Sequence, residues 1–597
     1  MKLHSLKISG YKRLREIKVL FGDATFLIGQ NNCGKSSVLK AIDILLSAKK
    51  QLTTSDYYSI LDDETGEIKV DTNIVTLEAE FRNLPLEASN WRGFKGRIFN
   101  YEVLNGIDET GLSVTYRKTY ELGKDVVIEF KSKDRQMKND FVGCKKPQDF
   151  IDNGISQELI QSYFSDLDKS LTSKQKEKLD EIDEIWEISE EEVWFQNPGG
   201  IPGNVLKMLP RFLLIPIDVG VNEIQGNGSG VLNKTLSELF ETVRENSDNF
   251  KNAREYLEKL AKELDPSDNN SEFGKMMDDL NNVLSNVFPD SKLHASTNLS
   301  EPSTLKPTFK VEMSSNIRTA VDDQGTGMIR AAVFGMLRYR QMWLSRKEDE
   351  HSRSIIICFE EPETYLHPSA ANQMRDTIYE LSSGLSQIVA STHSPYLIDI
   401  SRKPRQVLNR LSNISNHIDC DAFSVSDAFI KLQNDEKQYV KMILKIDNYI
   451  SRVFFTRNVI VIEGDTEDIL IKESLKRLDK QKYLKILADF EVVKARGKAT
   501  IISLIKYLKS LGINPIVVHD NDLATANAAR FNQNISDAIG INGKIITMNN
   551  TVEDEVGYVA TYEKPFHAYK QTESWKNWEA IPQNWRNKII EIFEPYI

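Results

Sequence analysis

The sequence predicts an α/β fold with two successive α/β domains. Near the N-terminus, a glycine-rich loop joins an apolar strand to a helix within residues 25–46. Residues 354–359 and 387–391 are continuous apolar runs on either side of a helical stretch, and such runs are typical of buried parallel strands. A second series of strands and helices starts at residue 458. A chain of 597 residues is also too long for one core, so we expect at least two domains.

The composition is that of a soluble globular protein, with 40% hydrophobic and 27% charged residues. The four cysteines are far apart and form no CxxC pair, so we expect neither a zinc site nor disulfides, as in a reducing cytoplasm. No apolar run is long enough for a membrane span, and the N-terminus lacks the apolar core of a signal peptide. The net charge of −11 excludes only a uniformly basic surface, because local patches rather than net charge bind phosphates.

We predict three segments along the chain: a first α/β domain at 1–400, a helical linker at 401–455 and a second α/β domain at 456–597. The first domain carries an insertion at about 86–320, which we expect to be helical. Within it, an acidic stretch at 165–193 has the pattern of a helix, and residues 231–287 have apolar positions at helical spacing. The helices near 231–290 are either surface helices of the first domain or a dimerisation element.

The glycine-rich loop at residues 29–36, GQNNCGKS, fits the phosphate-binding pattern GxxxxGK[ST] at every fixed position. It stands between a strand and a helix, where backbone N–H groups and the helix N-terminus bind phosphate. In such a loop Lys35 reaches the β- and γ-phosphates of ATP and Ser36 binds Mg²⁺. The predicted nucleotide-binding residues of this loop are Gly29, Asn32, Gly34, Lys35, Ser36 and Ser37.

The other half of an ATP site should be an apolar strand that ends in acids, and IIICFEEPE at residues 355–363 has this pattern. We expect Glu360 to lie near Mg²⁺ and Glu361 to orient the attacking water. Glu360 stands where Asp is usual, which leaves the hydrolysis rate open. His393, in the segment STHSP after the next apolar run, is placed to contact the γ-phosphate, and a purely structural histidine is the alternative.

Acidic residues also follow strands of the second α/β series. The segment VIVIEGDTE at 459–467 supplies Glu463 and Glu467, and PIVVHDND at 515–522 ends in Asp520 and Asp522. Carboxylates at the carboxyl ends of parallel strands can bind hard cations through oxygen. One or two Mg²⁺ (or Mn²⁺) ions would then polarise a phosphodiester and activate water. The alternative for any one of these acids alone is a helix cap or a solvated side chain.

Segments of the first domain resemble the ABC-type ATPases of the SMC, RecF and OLD (overcoming lysogenisation defect) class. The string EEPETYLHP followed by STHSP is similar to the OLD family in particular. The resemblance implies an ABC-type, SMC-like ATPase head whose ATP site is completed by a signature loop from another head, and hence a dimer of heads or a higher oligomer such as a tetramer. The usual LSGGQ is absent. Our candidate is residues 323–327, with Gly325 and Gly327, and a glycine turn at a helix start is the alternative.

The order of acidic motifs in the second domain resembles a Toprim domain with a Rossmann-like α/β fold. In OLD-family Toprim domains a further acid joins the metal site, and VEDE at 552–555 offers Glu553, with Glu555 in reserve. Lys498 lies at a strand-to-helix turn and is either a DNA contact or a helix start. With Glu361 and His393 in the head, the catalytic residues that the resemblance implies are Glu463, Asp520, Asp522 and Lys564.

An ATPase head followed by a Toprim domain in one chain is specific to the OLD family. It implies a DNA endonuclease that uses ATP and Mg²⁺ or Mn²⁺ in defence against phage. The partners that it implies are a helicase-like protein, as for the Gabija nuclease subunit, or a retron reverse transcriptase with its msDNA. The alternatives are an ATP-driven SMC- or RecF-like DNA clamp with an inactive Toprim domain, and a topoisomerase or primase, for which no nucleophile domain or zinc module is identifiable.

Overall fold

The computed structural model describes most of residues 1–217 and 353–597, except 62–67, 105–107, 177, 180–181, 199–201, 365, 367, 383, 385, 403, 415–416, 447–449, 524–528, 542 and 560–561. Between 218 and 352 it describes 247–249, 252, 255–256, 259, 271, 274–275, 312–314, 318–320, 329, 333 and 335–337. Contacts divide the chain into two units, residues 1–217 with 349–597, and residues 218–348.

The strands are β1 Lys2–Tyr11, β2 Leu14–Leu20, β3 Ala24–Gly29, β4 Ser59–Leu61, β5 Ile68–Val70, β6 Ile74–Arg82, β7 Phe99–Leu104, β8 Asp108–Glu121, β9 Val127–Met137, β10 Trp186–Gln196, β11 Arg211–Ile215, β12 Glu312–Ser314, β13 Arg318–Ala320, β14 Ile355–Glu360, β15 Ser386–Ser391, β16 Gln406–Ile414, β17 His417–Ser424, β18 Asn458–Ile462, β19 Phe490–Lys494, β20 Ile516–His519 and β21 Lys544–Thr547. The α-helices are α1 Lys35–Leu46, α2 Pro147–Asp152, α3 Gln157–Tyr163, α4 Ser173–Lys176, α5 Pro202–Met208, α6 Pro368–Leu381, α7 Val425–Ile430, α8 Asn434–Ile446, α9 Asp465–Leu475, α10 Lys480–Asp489, α11 Lys498–Ser510, α12 Phe531–Ile539, α13 Val552–Val556, α14 Lys564–Thr572 and α15 Gln583–Phe593.

The glycine-rich loop follows β3 in a six-stranded sheet of order β11–β14–β15–β3–β16–β17. All its neighbouring strands are parallel except the last pair, β16 and β17. Strands β14 and β15 are almost wholly buried, as their continuous apolar sequences predict. Because β15 lies between β14 and β3, the carboxyl ends of these three strands meet at one edge of the sheet. The α/β head predicted from the sequence is confirmed.

A separate antiparallel sheet of order β10–β9–β8–β6–β1–β2, with β7 beside β8, shares one hydrophobic core with α1 and the parallel sheet. Strands β7 to β10 belong to the insertion, so the prediction that the insertion is helical is wrong for these strands, although the short helices α2, α3 and α4 lie between β9 and β10. The described residues of the acidic stretch 165–193 include the short helix α4, a 3-10 turn at Asp183–Ile185 and then the start of β10. Strand β10 forms the edge of its sheet, where acidic side chains reach solvent and mimic the composition of a solvated helix.

The predicted helical linker at 401–455 is wrong in its first half. Strands β16 and β17 form an antiparallel hairpin that extends the head sheet, and β16 pairs directly with β3. Strand β17 lies at the edge of the sheet and exposes much of its length, so its sequence is polar and was read as part of a linker. Helices α7 and α8 follow the hairpin. We keep residue 456 as the proposed start of the second domain.

The second domain contains a parallel four-stranded sheet of order β19–β18–β20–β21. Helices α9, α13, α14 and α15 supply buried side chains to its core, which confirms the predicted Toprim-type α/β domain. Sequence reasoning missed α10. A hydrogen bond from Ser451 Oγ to the Pro395 carbonyl oxygen at 2.8 Å joins the linker to the head. Another, from Arg410 on β16 to the Thr456 carbonyl oxygen at 2.9 Å, joins the head sheet to the first residue of the second domain.

In the unit 218–348, the described residues include the antiparallel hairpin of β12 and β13. The predicted helices of 231–287 fall mostly outside the described residues, and so do Gly325 and Gly327. No helix in the described part of the chain has the length and apolar character needed to cross a bilayer.

Candidate functional site

The glycine-rich loop turns sharply between β3 and α1, and two of its glycines are required by geometry. Gly29 has φ 140°, and a Cβ there would lie 2.1 Å from the Leu411 carbonyl oxygen. Gly34 has φ 93°, and a Cβ there would lie 2.7 Å from Leu14 Cδ2. Asn32 also has a left-handed backbone, with φ 62°. The loop therefore brings its backbone close to the N-terminus of the twelve-residue helix α1, where phosphate binds well.

Lys35 is buried at the first position of α1, and its ammonium folds back onto the loop. Its Nζ donates to the carbonyl oxygens of Gly29 at 3.0 Å and Gln30 at 2.9 Å. Burial lowers the pKa of Lys35. Ser36 and Ser37 follow in the same helical turn. An anionic phosphate offers this ammonium stronger hydrogen bonds than two neutral carbonyl oxygens do.

Two of the predicted head residues, Glu361 and His393, meet just beyond the ends of β14 and β15. Glu360 ends β14, and the next residue, Glu361, has φ 42° and donates its N–H to the Ser391 carbonyl oxygen at 3.0 Å. His393 Nε2 lies 3.4 Å from Glu361 Oε1. Burial, together with the charge of Lys35, lowers the pKa of His393. The structure therefore brings Glu361 and His393 together and places both within electrostatic reach of Lys35.

Glu363 has a positioning role that sequence reasoning did not assign. Its Oε1 accepts hydrogen bonds from Thr392 Oγ1 at 2.7 Å and from the His393 backbone N–H at 3.1 Å. Burial raises the pKa of Glu363. This carboxyl group fixes the loop that carries His393. The available signal was the third acid of the EEPE motif, three residues after Glu360.

In the second domain, Glu463 and Asp520 directly follow β18 and β20, which are neighbours in the sheet. Glu463 Oε1 accepts the Asp520 backbone N–H at 2.9 Å. Burial raises the pKa of Glu463 to about 7, and the nearby carboxylates of Glu467 and Asp522 add to the effect. Burial and the same neighbours raise the pKa of Asp520 to about 8. These mutual effects place the carboxyl groups of Glu463, Glu467, Asp520 and Asp522 within electrostatic reach of one another, and we call these four residues together with Glu553 the acid cluster.

Glu467 and Glu553 complete this acid cluster. Glu467 lies in the first turn of α9, and its Oε2 accepts the Gly464 N–H at 3.1 Å. Burial raises its pKa, and the charge of Glu553 adds to the rise. Glu553 Oε1 lies 3.0 Å from Lys564 Nζ. Burial lowers the pKa of Lys564, but its pairing with Glu553 outweighs that effect and raises it.

Glu555, the reserve metal ligand, has a different environment. Its Oε1 accepts the Asn549 backbone N–H at 2.7 Å, and the side chain is buried. It anchors the turn between β21 and α13. The structure therefore favours Glu553 over Glu555 as the further acid that joins the acid cluster.

Lys498 is the functional candidate that sequence reasoning undervalued. It is 6% exposed, and its Nζ lies 2.7 Å from Asp522 Oδ2 and 4.0 Å from Glu463 Oε1. It also donates to the Asp520 carbonyl oxygen. The signal was available: Lys498 follows β19, which is the other neighbour of β18, so its position after the strand end leads to the same sheet edge.

The cluster fits a divalent cation by the chemistry of its donors. Asp520 Oδ1 and Glu553 Oε2 are buried and have no hydrogen-bond partner. An all-carboxylate set suits Mg²⁺ or Mn²⁺. Among the described residues, no three such side chains converge as tightly as the ligands of a bound metal ion. The carboxylates repel one another, and Lys498 and Lys564 each draw one of them aside, which accounts for the open arrangement.

Two family descriptions match the chain. Residues 1–398 match the AAA ATPase domain, and residues 454–522 match the TOPRIM domain of overcoming lysogenization defect protein-like proteins. The matched regions contain the glycine-rich loop and the acids at 463, 467, 520 and 522, respectively. The two domain types generally imply a nucleotide and a divalent metal.

Three relatives are similar over different shares of their length. The Old nuclease of Escherichia phage P2 is 21% identical, over 87% of this chain and 77% of that protein. The OLD nuclease of Thermus scotoductus is 28% identical, over 34% of this chain and 36% of that protein. An endonuclease GajA of Bacillus cereus is 21% identical, over 93% of this chain and 81% of that protein.

Proposed function

Because the chain belongs to the AAA ATPase domain family and carries the TOPRIM domain of the OLD family, we propose that it is an ATP-regulated, metal-dependent DNA endonuclease. The observation that carries the proposal is the acid cluster at neighbouring strand ends of the second domain, with two buried oxygens that lack a hydrogen-bond partner. Nuclease relatives that span most of the chain support a phosphodiester substrate.

We assign the cutting chemistry to the acid cluster. The residues that would bind Mg²⁺ or Mn²⁺ are Glu463, Glu467, Asp520, Asp522 and Glu553. A bound ion supplies polarisation of the scissile phosphate and a lowered pKa of attacking water. Lys564, at the rim of the cluster, would neutralise charge on the phosphate, and Lys498 keeps the loop of Asp520 and Asp522 in place.

We assign nucleotide binding to the head. Lys35 and the backbone of residues 29–36 would bind the ATP phosphates, and Ser36 with Glu360 would hold its Mg²⁺. Glu361 would orient water, and His393, with its lowered pKa, would face the γ-phosphate as a neutral ring. The hydrogen bonds of Ser451 with Pro395 and of Arg410 with Thr456 connect the head to the linker and to the start of the second domain, and they offer a route from nucleotide binding to cutting.

DNA is the substrate that we propose, with defence against phage as its purpose, as the resemblance to the Gabija nuclease subunit implies. The protein would act as a homo-oligomer of heads, with a helicase-like protein or a retron reverse transcriptase and its msDNA as partner. Phage plating on cells that carry the gene alone, or together with its neighbouring genes, tests the proposed role in defence.

The biochemical test is incubation of supercoiled plasmid with purified protein in chelator, Mg²⁺ or Mn²⁺, each with and without ATP. We expect nicked or linear DNA with metal and intact plasmid in chelator. In Lys35→Ala, cutting should no longer respond to ATP. Cutting that persists in chelator would contradict the metal-dependent mechanism. ATP-dependent retention of uncut DNA would favour the clamp instead.

A further inference from the structure

Asn532 is a half-buried amide that joins two parts of the acid-cluster site. It is the second residue of α12, whose residues Ile535 and Ile539 are buried. Spacings of three and seven residues place side chains on one face of a helix, so Asn532 lies on the inner face of α12. Its Oδ1 accepts a hydrogen bond from Lys498 Nζ at 3.0 Å, and its Nδ2 donates to the Asn521 carbonyl oxygen at 2.8 Å.

The chemistry of these two partners fixes which way the Asn532 amide points. An ammonium can only donate hydrogen bonds, and a carbonyl oxygen can only accept them. The amide oxygen must therefore face Lys498, and the amide nitrogen must face Asn521. Neither an apolar side chain nor an ionised carboxylate could make both contacts.

Asn532 supplies the third acceptor of the Lys498 ammonium. The other two are Asp522 Oδ2 at 2.7 Å and the Asp520 carbonyl oxygen. A lysine ammonium has three N–H donors, so these three acceptors use all of them. Lys498 is only 6% exposed, so solvent offers little replacement for a missing acceptor.

Without the Asn532 oxygen, the nearest carboxylate for the freed donor is that of Glu463. Glu463 Oε1 lies 4.0 Å from Lys498 Nζ, just beyond hydrogen-bond distance. A buried donor without an acceptor costs free energy, and a carboxylate forms a stronger hydrogen bond than a neutral group does. A small shift of the ammonium would therefore pair it with Glu463, and Lys498 would then compete with a divalent cation for this carboxylate.

We propose that Asn532 is a positioning residue of the cutting site, which holds the Lys498 ammonium on Asp522 and away from Glu463. Glu463 is thereby kept free to bind the divalent cation. The second hydrogen bond of Asn532 fixes the backbone at Asn521, between Asp520 and Asp522. This inference rests on the proposed nuclease function, since it assigns a further residue to the same site.

The test measures Mn²⁺ binding by the full-length protein without nucleotide or DNA, so that no cutting is required. Loss of the EPR signal of free Mn²⁺ gives the binding curve, and the curve of Asp520→Asn gives the background from other sites. Asn532→Leu should weaken the Asp520-dependent binding at least tenfold, as the loss of a group that orients metal ligands typically does. Asn532→Asp keeps an acceptor for Lys498 and should bind Mn²⁺ nearly as the wild type does.

A second pair of variants tests whether Asn532 acts through Lys498. In a Lys498→Met background, adding Asn532→Leu should change the Mn²⁺ affinity no further, because the two residues belong to one interaction. A residue that only stabilised the fold would weaken binding equally with and without the lysine. Asn534→Leu, which replaces an exposed asparagine of the same helix, is the matched control and should bind Mn²⁺ as the wild type does.

Unchanged Mn²⁺ affinity in Asn532→Leu would overturn the inference, and so would equal losses in Asn532→Leu and Asn532→Asp. Either result leaves the metal site itself intact, provided that the wild type shows Asp520-dependent binding. Equal Mn²⁺ binding by the wild type and Asp520→Asn would instead overturn the metal-dependent cutting site, and the role of Asn532 with it.

Discussion

The Lys498 ammonium lies 2.7 Å from the Asp522 carboxylate inside the acid cluster of the second domain. The Glu463 carboxylate lies 4.0 Å from the same ammonium, which also donates a hydrogen bond to the Asp520 carbonyl oxygen. The lysine is thus a built-in cation in a site whose other side chains carry negative charge. A buried ion pair is costly to break, because removing one partner leaves the other charge without compensation.

Replacing Lys498 with Met should therefore destabilise the chelator-treated protein by about 3 kcal/mol. Added Mn²⁺ should restore part of that loss by supplying positive charge to the cluster. Urea unfolding followed by tryptophan fluorescence, with and without Mn²⁺, measures both effects.

The matched control is Lys472→Met. Lys472 pairs with Asp468 at 2.9 Å, but its side chain is 61% exposed. An exposed pair contributes less than about 1 kcal/mol, so this variant should unfold nearly as the wild type does. Equal losses in the two lysine variants would show that Lys498 has no special role.

Neutralising Asp520 should stabilise the metal-free protein. Folding raises the pKa of this carboxyl group to about 8 from an ordinary value of about 4, because the folded state buries it among other acids. Ionisation therefore opposes folding: the penalty is absent below about pH 4, grows as pH rises and is complete above about pH 8.

Asp520→Asn should accordingly raise the melting temperature in chelator by a few degrees at pH 8.5 and by less at pH 6. With saturating Mg²⁺ the order should reverse, because the wild type gains a bound ion that the variant binds poorly. Thermal melts at the two pH values measure this. A lower melting temperature for Asp520→Asn in chelator at pH 8.5 would be inconsistent with a strained acid cluster.

Glu363→Ala should slow ATP hydrolysis without abolishing ATP binding. The variant loses the acceptor that holds Thr392 and the His393 N–H, so the histidine ring moves away from the γ-phosphate position. A misplaced group typically costs about 10- to 100-fold in rate, whereas Lys35 and the phosphate loop are unchanged. The expected result is a lower kcat with a nearly constant KM for ATP.

Glu363→Gln keeps an acceptor oxygen and serves as the conservative control. It should retain most of the hydrolysis rate, since the two hydrogen bonds need an oxygen rather than a charge. A large rise in KM in Glu363→Ala, with kcat preserved, would place Glu363 in nucleotide binding instead.

The elements predicted best from the sequence are strands whose sheet is covered on both faces, because such strands are apolar along their whole length. Strands β14, β15 and β18 are continuous apolar runs because helices or other layers cover both sides of their sheets. Acids placed directly after such strands had to converge at one sheet edge, and the contact between Glu463 and Asp520 follows from that topology.

The elements that the sequence predicted poorly lie at sheet edges or depend on tertiary partners. Strands β10 and β17 expose one side and carry charges, so their patterns resembled an acidic helix and a polar linker. The roles of Lys498, Glu363 and Glu555 depend on which backbone or side-chain group each one meets. Those partners are distant in the chain or lie across a turn, and local spacing does not identify them.

The most direct measurement for the nuclease site is the nicking rate of supercoiled plasmid in Mn²⁺ by Asp520→Asn beside Asp537→Asn. Asp537 is an exposed carboxylate on α12, in the same domain but outside the acid cluster. We predict that Asp520→Asn loses nicking by at least a hundredfold, about 3 kcal/mol of transition-state stabilisation, while Asp537→Asn cuts as the wild type does. Equal nicking by wild type and Asp520→Asn would contradict the assignment of cutting to the acid cluster.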